Sequence, residues 1–509
     1  MKVLLVAPPR LLWPYMNEQD NFLLPQALPC LAAVLRQAGL QVSVLDCMPE
    51  KAGWATVGDR IREEKPQVVA AGENHAVYAS EIIRLVHLAK DIDPSITTIL
   101  GGAHFTNVGD LYLHDHPIDF IVRGEGEITL LELVKSLADG GRDEAKSVAG
   151  ITYREGDTIV TTEPRKLVPD LDNLPLPAYD LMPMDRYGSS KYLFSPGGTT
   201  IHHSRGCAAR CKFCVWWTQM ANRTRHCNEE RLTPRWRTKS VERTIEEMEV
   251  LYRKHVKRCL VFTDPTFNLD PDWNERFADT LIKKKWDLTY FAFLRADCVL
   301  RDEKLGVFEK LVRSGLIHVC IGVERVQDED LRNWNKPFYS SRDSHTVFRL
   351  LKEKYPGVVR QATFILGTRD ETRESMQRQL DFARTLDVDY PAFHVLTPFP
   401  GTELWHEARE KGWLEIDDFD YFDLSTPLMG TDHLTREEVE EELIRISREY
   451  LTLGRLARGL LSRSSYRRNL YIWFLLVSGR IFTDTLLHRM NPLAAKRYTR
   501  LVKPDWYDG

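Results

Sequence analysis

Three cysteines set the first constraint on chemistry. Cys207, Cys211 and Cys214 stand in a C-x3-C-x2-C run, behind the polar turn Ser204-Arg205-Gly206 and ahead of the aromatic stretch Val215-Trp216-Trp217. Thiolates are soft ligands that suit zinc and iron–sulfur clusters. Structural zinc asks for four closed ligands, usually as two spaced pairs, and no second C-x2-C pair follows. The nearest further candidates, His226 and Cys227, lie in a charged stretch without partner spacing. Three close thiolates with no fourth fit a 4Fe–4S cluster that leaves one iron open. An open iron binds a small molecule, so the run reads as a chemical site rather than a structural one.

The same residues carry a family resemblance. C-x3-C-x-aromatic-C, with Phe213 as the aromatic, resembles the cluster motif of radical S-adenosylmethionine (SAM) enzymes, and the stretch before it resembles a cobalamin-binding domain. The combination is similar to the cobalamin-dependent radical SAM subgroup. That resemblance implies a 4Fe–4S cluster on Cys207, Cys211 and Cys214, SAM on the open iron, and cobalamin on the N-terminal domain. It implies reductive cleavage of SAM to a 5'-deoxyadenosyl radical that takes hydrogen from an unactivated carbon. It sets Asp264 to Thr266, with Thr266 at the end of the stretch, where the SAM amino group is held. Arg295 is set against the SAM carboxylate, Glu324 near the ribose and Gly367 at the adenine-side turn. The chain departs from the family in two places. No D-x-H-x-x-G follows the first strand, so that motif supplies no histidine beneath cobalt. Arg369-Asp370 follow Gly367-Thr368, where the family more often has a proline–glycine pair.

Length and composition bound what can surround this site. A chain of 509 residues exceeds one ordinary core and implies several domains. The net charge of -4 predicts no general affinity for nucleic acid. Nine cysteines, odd in number and sparse outside the triad, point to a reducing compartment, the cytoplasm, rather than a disulfide framework. Met1 to Val6 reads as a buried strand ended by Pro8-Pro9, not a signal peptide. No apolar run approaches the roughly 20 residues of a spanning helix.

The elements that must position the site alternate in type. Strands at 3–7, 41–46, 67–71, 97–100 and 120–122 alternate with helices at 24–38, 56–65 and 79–91. This predicts an α/β, doubly wound parallel sheet over residues 1–140 that resembles cobalamin-binding domains. Ligands of such sheets bind outside the carboxyl ends of the strands. Gly101-Gly102 and Gly124-Glu125-Gly126-Glu127 fall there, so Gly101, Gly102, Gly124 and Glu125 are the expected cofactor edge. G-x-G-x-x-G is missing after the first strand, which weighs against a dinucleotide. His75 and His104 lie in the same loops and read as solvated.

A hairpin at 150–162 and a proline-rich connector, Pro169 to Asp180, fill residues 141–195. Strands at 199–203, 258–262, 288–294, 318–323, 361–366 and 392–396 then give a partial (β/α)6 barrel over 196–415, with the cysteines at the carboxyl end of its first strand. Trp216 and Trp217 are set to line a dry cavity or to pack in the core. Residues 416–509 read as a C-terminal helical region. A capping box, Thr435-Arg436-Glu437-Glu438, opens a helix to about Leu453. From Thr452 onward eleven basic residues face three acidic ones, a net of +8, around the apolar run Leu470 to Val477. This suits peripheral contact with the inner membrane face through 452–505, a lid over a greasy substrate, or a helical cap.

The expected function is C-methylation of a small hydrophobic substrate, whether secondary metabolite, lipid or tetrapyrrole. An external electron donor such as flavodoxin or ferredoxin would serve it. A ring-forming oxidation like that of the oxygen-independent magnesium-protoporphyrin monomethyl ester cyclase shares every motif. A non-catalytic cluster- or cobalamin-binding sensor is the reading from another class.

Overall fold

Short apolar runs without polar interruption make strands covered on both faces. Along the first run, Val3, Leu5 and Ala7 enter one core, while Leu4 and Val6 enter the core on the opposite face. In the computed structural model, which describes residues 1–10, 23–188, 197–226, 229–336, 338, 340–488 and 506–508, these runs form two sheets. The first holds β1 (Lys2–Ala7), β2 (Gln41–Asp46), β3 (Val68–Gly72), β4 (Thr97–Gly101), β5 (Phe120–Val122), β6 (Ile151–Glu155) and β7 (Thr158–Thr161). Their order is β2-β1-β3-β4-β5-β6-β7. The first five run parallel, with Val3 level with both Val42 and Val68. The hairpin β6–β7 joins the far edge antiparallel, Ile121 against Thr152, so the sheet is mixed rather than wholly parallel. Helices Ala27–Gln37 and Gly126–Asp139 cover one face, and Trp54–Glu64 and Ala79–Ile92 the other.

β8 (Gly198–Ile201) opens the second sheet and leads into two short ribbons. β9 (Ser204–Gly206) pairs with β12 (Trp236–Thr238), and β10 (Asn222–His226) with β11 (Glu229–Thr233). β13 (Cys259–Phe262), β14 (Thr289–Leu294), β15 (Leu316–Glu324), β16 (Val359–Leu366) and β17 (Tyr390–Val395) complete a parallel sheet of order β17-β16-β15-β14-β13-β8. Two free edges make it a half-barrel. Alternation along β14 sorts its faces. Tyr290, Ala292 and Leu294 pack against the outer helices, while Phe291 points inward with Val261 and Cys320. Phe293 shares that inner face and is 37% exposed, so the concave side is open at the carboxyl ends of the strands.

The capping box at Thr435 and Glu438 forms and starts helix Arg436–Tyr450, which is followed by Leu453–Leu460 and Ser465–His488. Within the last of these, Leu470, Tyr471, Trp473 and Phe474 are buried with Val359 and packed against Tyr390 on the half-barrel. Leu475 and Leu476 stay 42% and 43% exposed. Among the described residues no helix is long and apolar enough to cross a membrane. Near its end the chain returns to the first domain, where Asp508 accepts from the backbone N–H groups of Trp54 and Ala55 at the start of helix Trp54–Glu64.

Candidate functional site

The cysteine loop is held at its root by one carboxylate. Asp264, fully buried after β13, accepts at Oδ1 from the N–H of His203 (3.1 Å), the N–H of Ser204 (2.5 Å) and Ser204 Oγ (2.6 Å). His203 Nδ1 lies 2.8 Å from the same oxygen. Asp264 Oδ2 is buried with no partner among the described residues, a spare acceptor beside the loop. Thr266 Oγ1 lies 3.9 Å from Cys207 Sγ and donates to Pro265 O. Beyond the last cysteine the two tryptophans divide. Trp217 is buried and donates through Nε1 to Cys211 O at 2.9 Å, whereas Trp216 is 42% exposed and meets His75 edge-on at 6.1 Å. Burial pushes the thiols of Cys211 and Cys214 up, to about 11 and about 12.

The remaining expected SAM residues sit at the carboxyl ends of β14, β15 and β16. Arg295 forms a forked pair with Asp297 (3.0 and 2.6 Å) and lies over the Phe338 ring. Glu324 follows an irregularity in the β15–β16 register and has φ +64°, a left-handed backbone that is strained for a residue with a side chain. Its oxygens accept from Lys336 Nζ (2.7 Å) and Thr363 Oγ1 (2.9 Å). Gly367 takes φ +76° and donates its N–H to Glu371 Oε2 at 2.6 Å. Glu371 is itself gripped by the buried Arg325 (2.5 Å). Phe213, the aromatic between the last two cysteines, packs against Trp334 and near Ile365.

The carboxyl edge of the first sheet faces this loop. Gly102 has φ +87°, and a Cβ there would fall 2.4 Å from Glu73 O, so only glycine fits. Gly101 takes extended backbone and Gly124 has φ +73°; among the described residues nothing lies within 4 Å of where a Gly124 Cβ would point. Asn74 bridges the two halves by accepting from Ala103 N–H (3.0 Å) and Gln219 Nε2 (2.8 Å). His75 is open to solvent yet enclosed enough that desolvation lowers its pKa. His104 corrects the reading of a solvated histidine. It is buried on helix Gly102–Val108 against Tyr112 and Phe419, and burial lowers its pKa to about 4.

Glu125 also differs from its expected place on a free cofactor edge. Both oxygens are occupied, by Arg205 (3.2 Å), Arg237 (2.8 and 3.0 Å) and the Val168 N–H (2.8 Å). Burial would raise its pKa, but the hydrogen bond from Arg237 and the two guanidinium charges hold it below the ordinary value. Arg205 also pairs with Glu127 at 2.6 Å. Sequence reasoning missed this junction, and it missed Asn74, Lys336 and Glu371. The signal available was the arginine directly ahead of Gly206-Cys207, and the carboxylate four residues past Gly367.

The B12-binding domain model matches residues 14–134, and the radical SAM superfamily model residues 201–383. The chain is 30% identical over 425 residues to an uncharacterised methyltransferase of Pyrococcus horikoshii, covering 82% of this chain and 86% of that protein. It is 29% identical over 436 residues to the anaerobic magnesium-protoporphyrin IX monomethyl ester cyclase of Rubrivivax gelatinosus, covering 84% and 73%. The structure of the radical SAM methyltransferase TsrM of Kitasatospora setae, with cobalamin and a [4Fe-4S] cluster bound, matches in fold with a TM-score of 0.67 at 17% identity, over 95% of this chain and 99% of that one.

The residues present fit these cofactors. Among the described residues no three His, Cys, Asp or Glu side chains are gathered as ligands of a single metal ion. A cubane asks instead for one thiolate per iron, and the triad offers three. The spare Oδ2 of Asp264 and the open side of Gly124 are places where a bound group can enter. The chain belongs to the radical SAM enzymes that carry a B12-binding domain, and it is a cobalamin-dependent member of them that uses a [4Fe-4S] cluster and SAM.

Proposed function

We propose that the protein methylates an unactivated carbon of a small hydrophobic substrate. The observation that carries this reading is a pair of large apolar side chains left open where the site lies. Phe293 is 37% exposed on the concave face of the half-barrel, and Trp216 is 42% exposed two residues past Cys214. Single exposed apolar side chains are common on protein surfaces, and these two gain weight from their places on the concave face and beside the cysteine loop, where a ligand pocket needs apolar lining. The similarity to the Pyrococcus horikoshii methyltransferase supports methyl transfer. The similarity to the Rubrivivax gelatinosus cyclase supports a second reading, oxidative ring closure.

When bound, the cofactors supply one-electron reduction, radical formation and a transferable methyl group. The chain does the rest. Asp264 fixes the entry to the cysteine loop through Oδ1 and keeps Oδ2 for the SAM amino group. Thr266 stands against the Cys207 sulfur. Arg295, Glu324 and Gly367 offer the SAM carboxylate, ribose and adenine a cation, a carboxylate and a bare turn. Gly101, Gly102 and Gly124 leave the edge of the first sheet low enough for a flat macrocycle to approach. Trp216 and Phe293 keep water from the reacting carbon. Radical SAM chemistry needs an external reductant; a small flavin or iron–sulfur protein suits that role.

The test is anaerobic turnover of cluster-reconstituted, corrinoid-loaded protein with SAM labelled in its methyl group, against a panel of lipid and tetrapyrrole substrates. Label in the product, with 5'-deoxyadenosine and S-adenosylhomocysteine formed together, is the expected result. An oxidised product without label would replace methylation by cyclisation. Absence of SAM cleavage under any condition would leave only the sensor.

A further inference from the structure

Between helices Asp328–Asn333 and Ser341–Lys354, Trp334, Lys336 and Phe338 stand outside the strands of the half-barrel, yet their side chains reach three residues of the expected SAM end. Trp334 meets Phe213 edge-on with ring centroids 5.1 Å apart, and its carbonyl accepts from Lys212 N–H at 3.0 Å. Phe338 lies 4.1 Å from the Arg295 guanidinium. Between them, Lys336 Nζ donates to Glu324 Oε1 at 2.7 Å and to Gly322 O at 2.9 Å.

The Lys336–Glu324 contact differs in kind from the surface ion pairs of this chain. The two side chains are 12% and 10% exposed. Glu324 also sits on a strained left-handed backbone at a register irregularity, a device that re-aims a side chain out of the regular sheet pattern. Among the described residues the other bond to its carboxylate comes from the neutral Thr363 hydroxyl. Without the lysine the carboxylate loses the donor that fixes its direction, because removing one partner of a buried pair leaves the other uncompensated. A carboxylate held in one direction presents its oxygens as acceptors to a vicinal diol.

We propose that Lys336 is a positioning residue for SAM. It holds Glu324 aimed by a direct charge-assisted hydrogen bond, so that cofactor affinity depends on a residue supplied from outside the barrel strands. The inference rests on Glu324 lying in the SAM site.

The experiment uses full-length, cluster-reconstituted protein and measures SAM binding by equilibrium dialysis, with iron and corrinoid content as controls. Lys336→Met is expected to weaken SAM binding about tenfold, the lower end for a lost charge-assisted hydrogen bond, with iron and corrinoid unchanged. Lys336→Arg, which restores the cation, is expected to stay within about threefold of the unaltered protein. Glu324→Gln is expected to weaken binding, and Lys336→Met in that background to add little, since the two act as one unit. If Glu324→Gln weakens binding and Lys336→Met does not, the proposal for Lys336 is wrong while Glu324 keeps its place. If neither variant changes SAM affinity, the placement of Glu324 is wrong and the inference falls with it. Loss of iron in Lys336→Met but not in Lys336→Arg would overturn it too, by assigning the cation to cluster assembly.

Discussion

Asp264 shows how much one side chain can hold. Its Oδ1 collects the His203 N–H, the Ser204 N–H and the Ser204 hydroxyl, all buried. Those donors lie within five residues of Cys207, so the carboxylate fixes the root of the cysteine loop before any iron arrives. Replacing it by alanine leaves the donors unsatisfied, at about 1–3 kcal/mol for each buried group. Asp264→Ala is therefore expected to lose about 3 kcal/mol or more of stability and to retain much less iron after anaerobic reconstitution. Asp264→Asn keeps an oxygen acceptor and should retain most of the iron. Unchanged iron and thermal midpoint in Asp264→Ala would remove Asp264 from the loop's support. The family resemblance singles out this residue, at the carboxyl end of an expected barrel strand, as an expected member of the site. Which way its oxygens turn is not legible, because side-chain direction depends on a partner sixty residues away in sequence.

At the scale of elements, legibility followed the strength of the local signal. β2 and β5 fall where their apolar runs predict, and the capping box at Thr435 starts its helix. The ribbons β9–β12 and β10–β11 carry no such signal. Ser204-Arg205-Gly206 is three residues long and becomes a strand by pairing across the cysteine run with Trp236–Thr238, while Asn222–His226, polar and basic, becomes one by pairing with Glu229–Thr233. The last helix, Ser465–His488, is left open by the sequence, because an apolar run flanked by arginines describes a membrane-surface helix and a helix docked on a barrel equally well. Burial of Leu470, Tyr471, Trp473 and Phe474 favours docking for that part of the run. The contrast is measurable. Phe474→Ala should cost about 3–5 kcal/mol, as for a core aromatic, whereas Leu476→Ser, at a 43% exposed position, should cost less than about 1 kcal/mol. Chemical denaturation of both variants checks this. Equal effects, or vesicle binding lost in Phe474→Ala without destabilisation, would restore the interfacial reading for the run.

The molecule as a whole works by holding two carboxyl edges against each other, and its junction is polar. Glu125 and Glu127 grip Arg205 and Arg237, and Asn74 holds Gln219. Tyr187, in the connector, ties both halves at once. Its hydroxyl donates to Asp46 Oδ2 at 2.6 Å at the end of β2, and its carbonyl accepts from Lys257 Nζ at 2.7 Å just before β13. Asp46 is 3% exposed. Burial raises its pKa from 3.8 to about 6, against the pull of the Tyr187 hydrogen bond and the Arg10 charge. The folded state thus holds this proton more tightly than the unfolded chain does. The resulting stabilisation is fully present below pH 3.8 and is lost as pH rises through about 6. Two pKa units correspond to about 3 kcal/mol at most. Asp46→Asn removes the ionisation while keeping an acceptor for Tyr187. The variant should therefore gain on the unaltered protein between pH 4 and pH 7, by about 1–3 kcal/mol, while other carboxylates titrate alike in both. Urea unfolding of the pair across that range reads the difference directly. A gap that stays flat with pH would mean that Asp46 ionises freely, and that the connector is held to the first sheet by Tyr187 packing rather than by a strained buried acid.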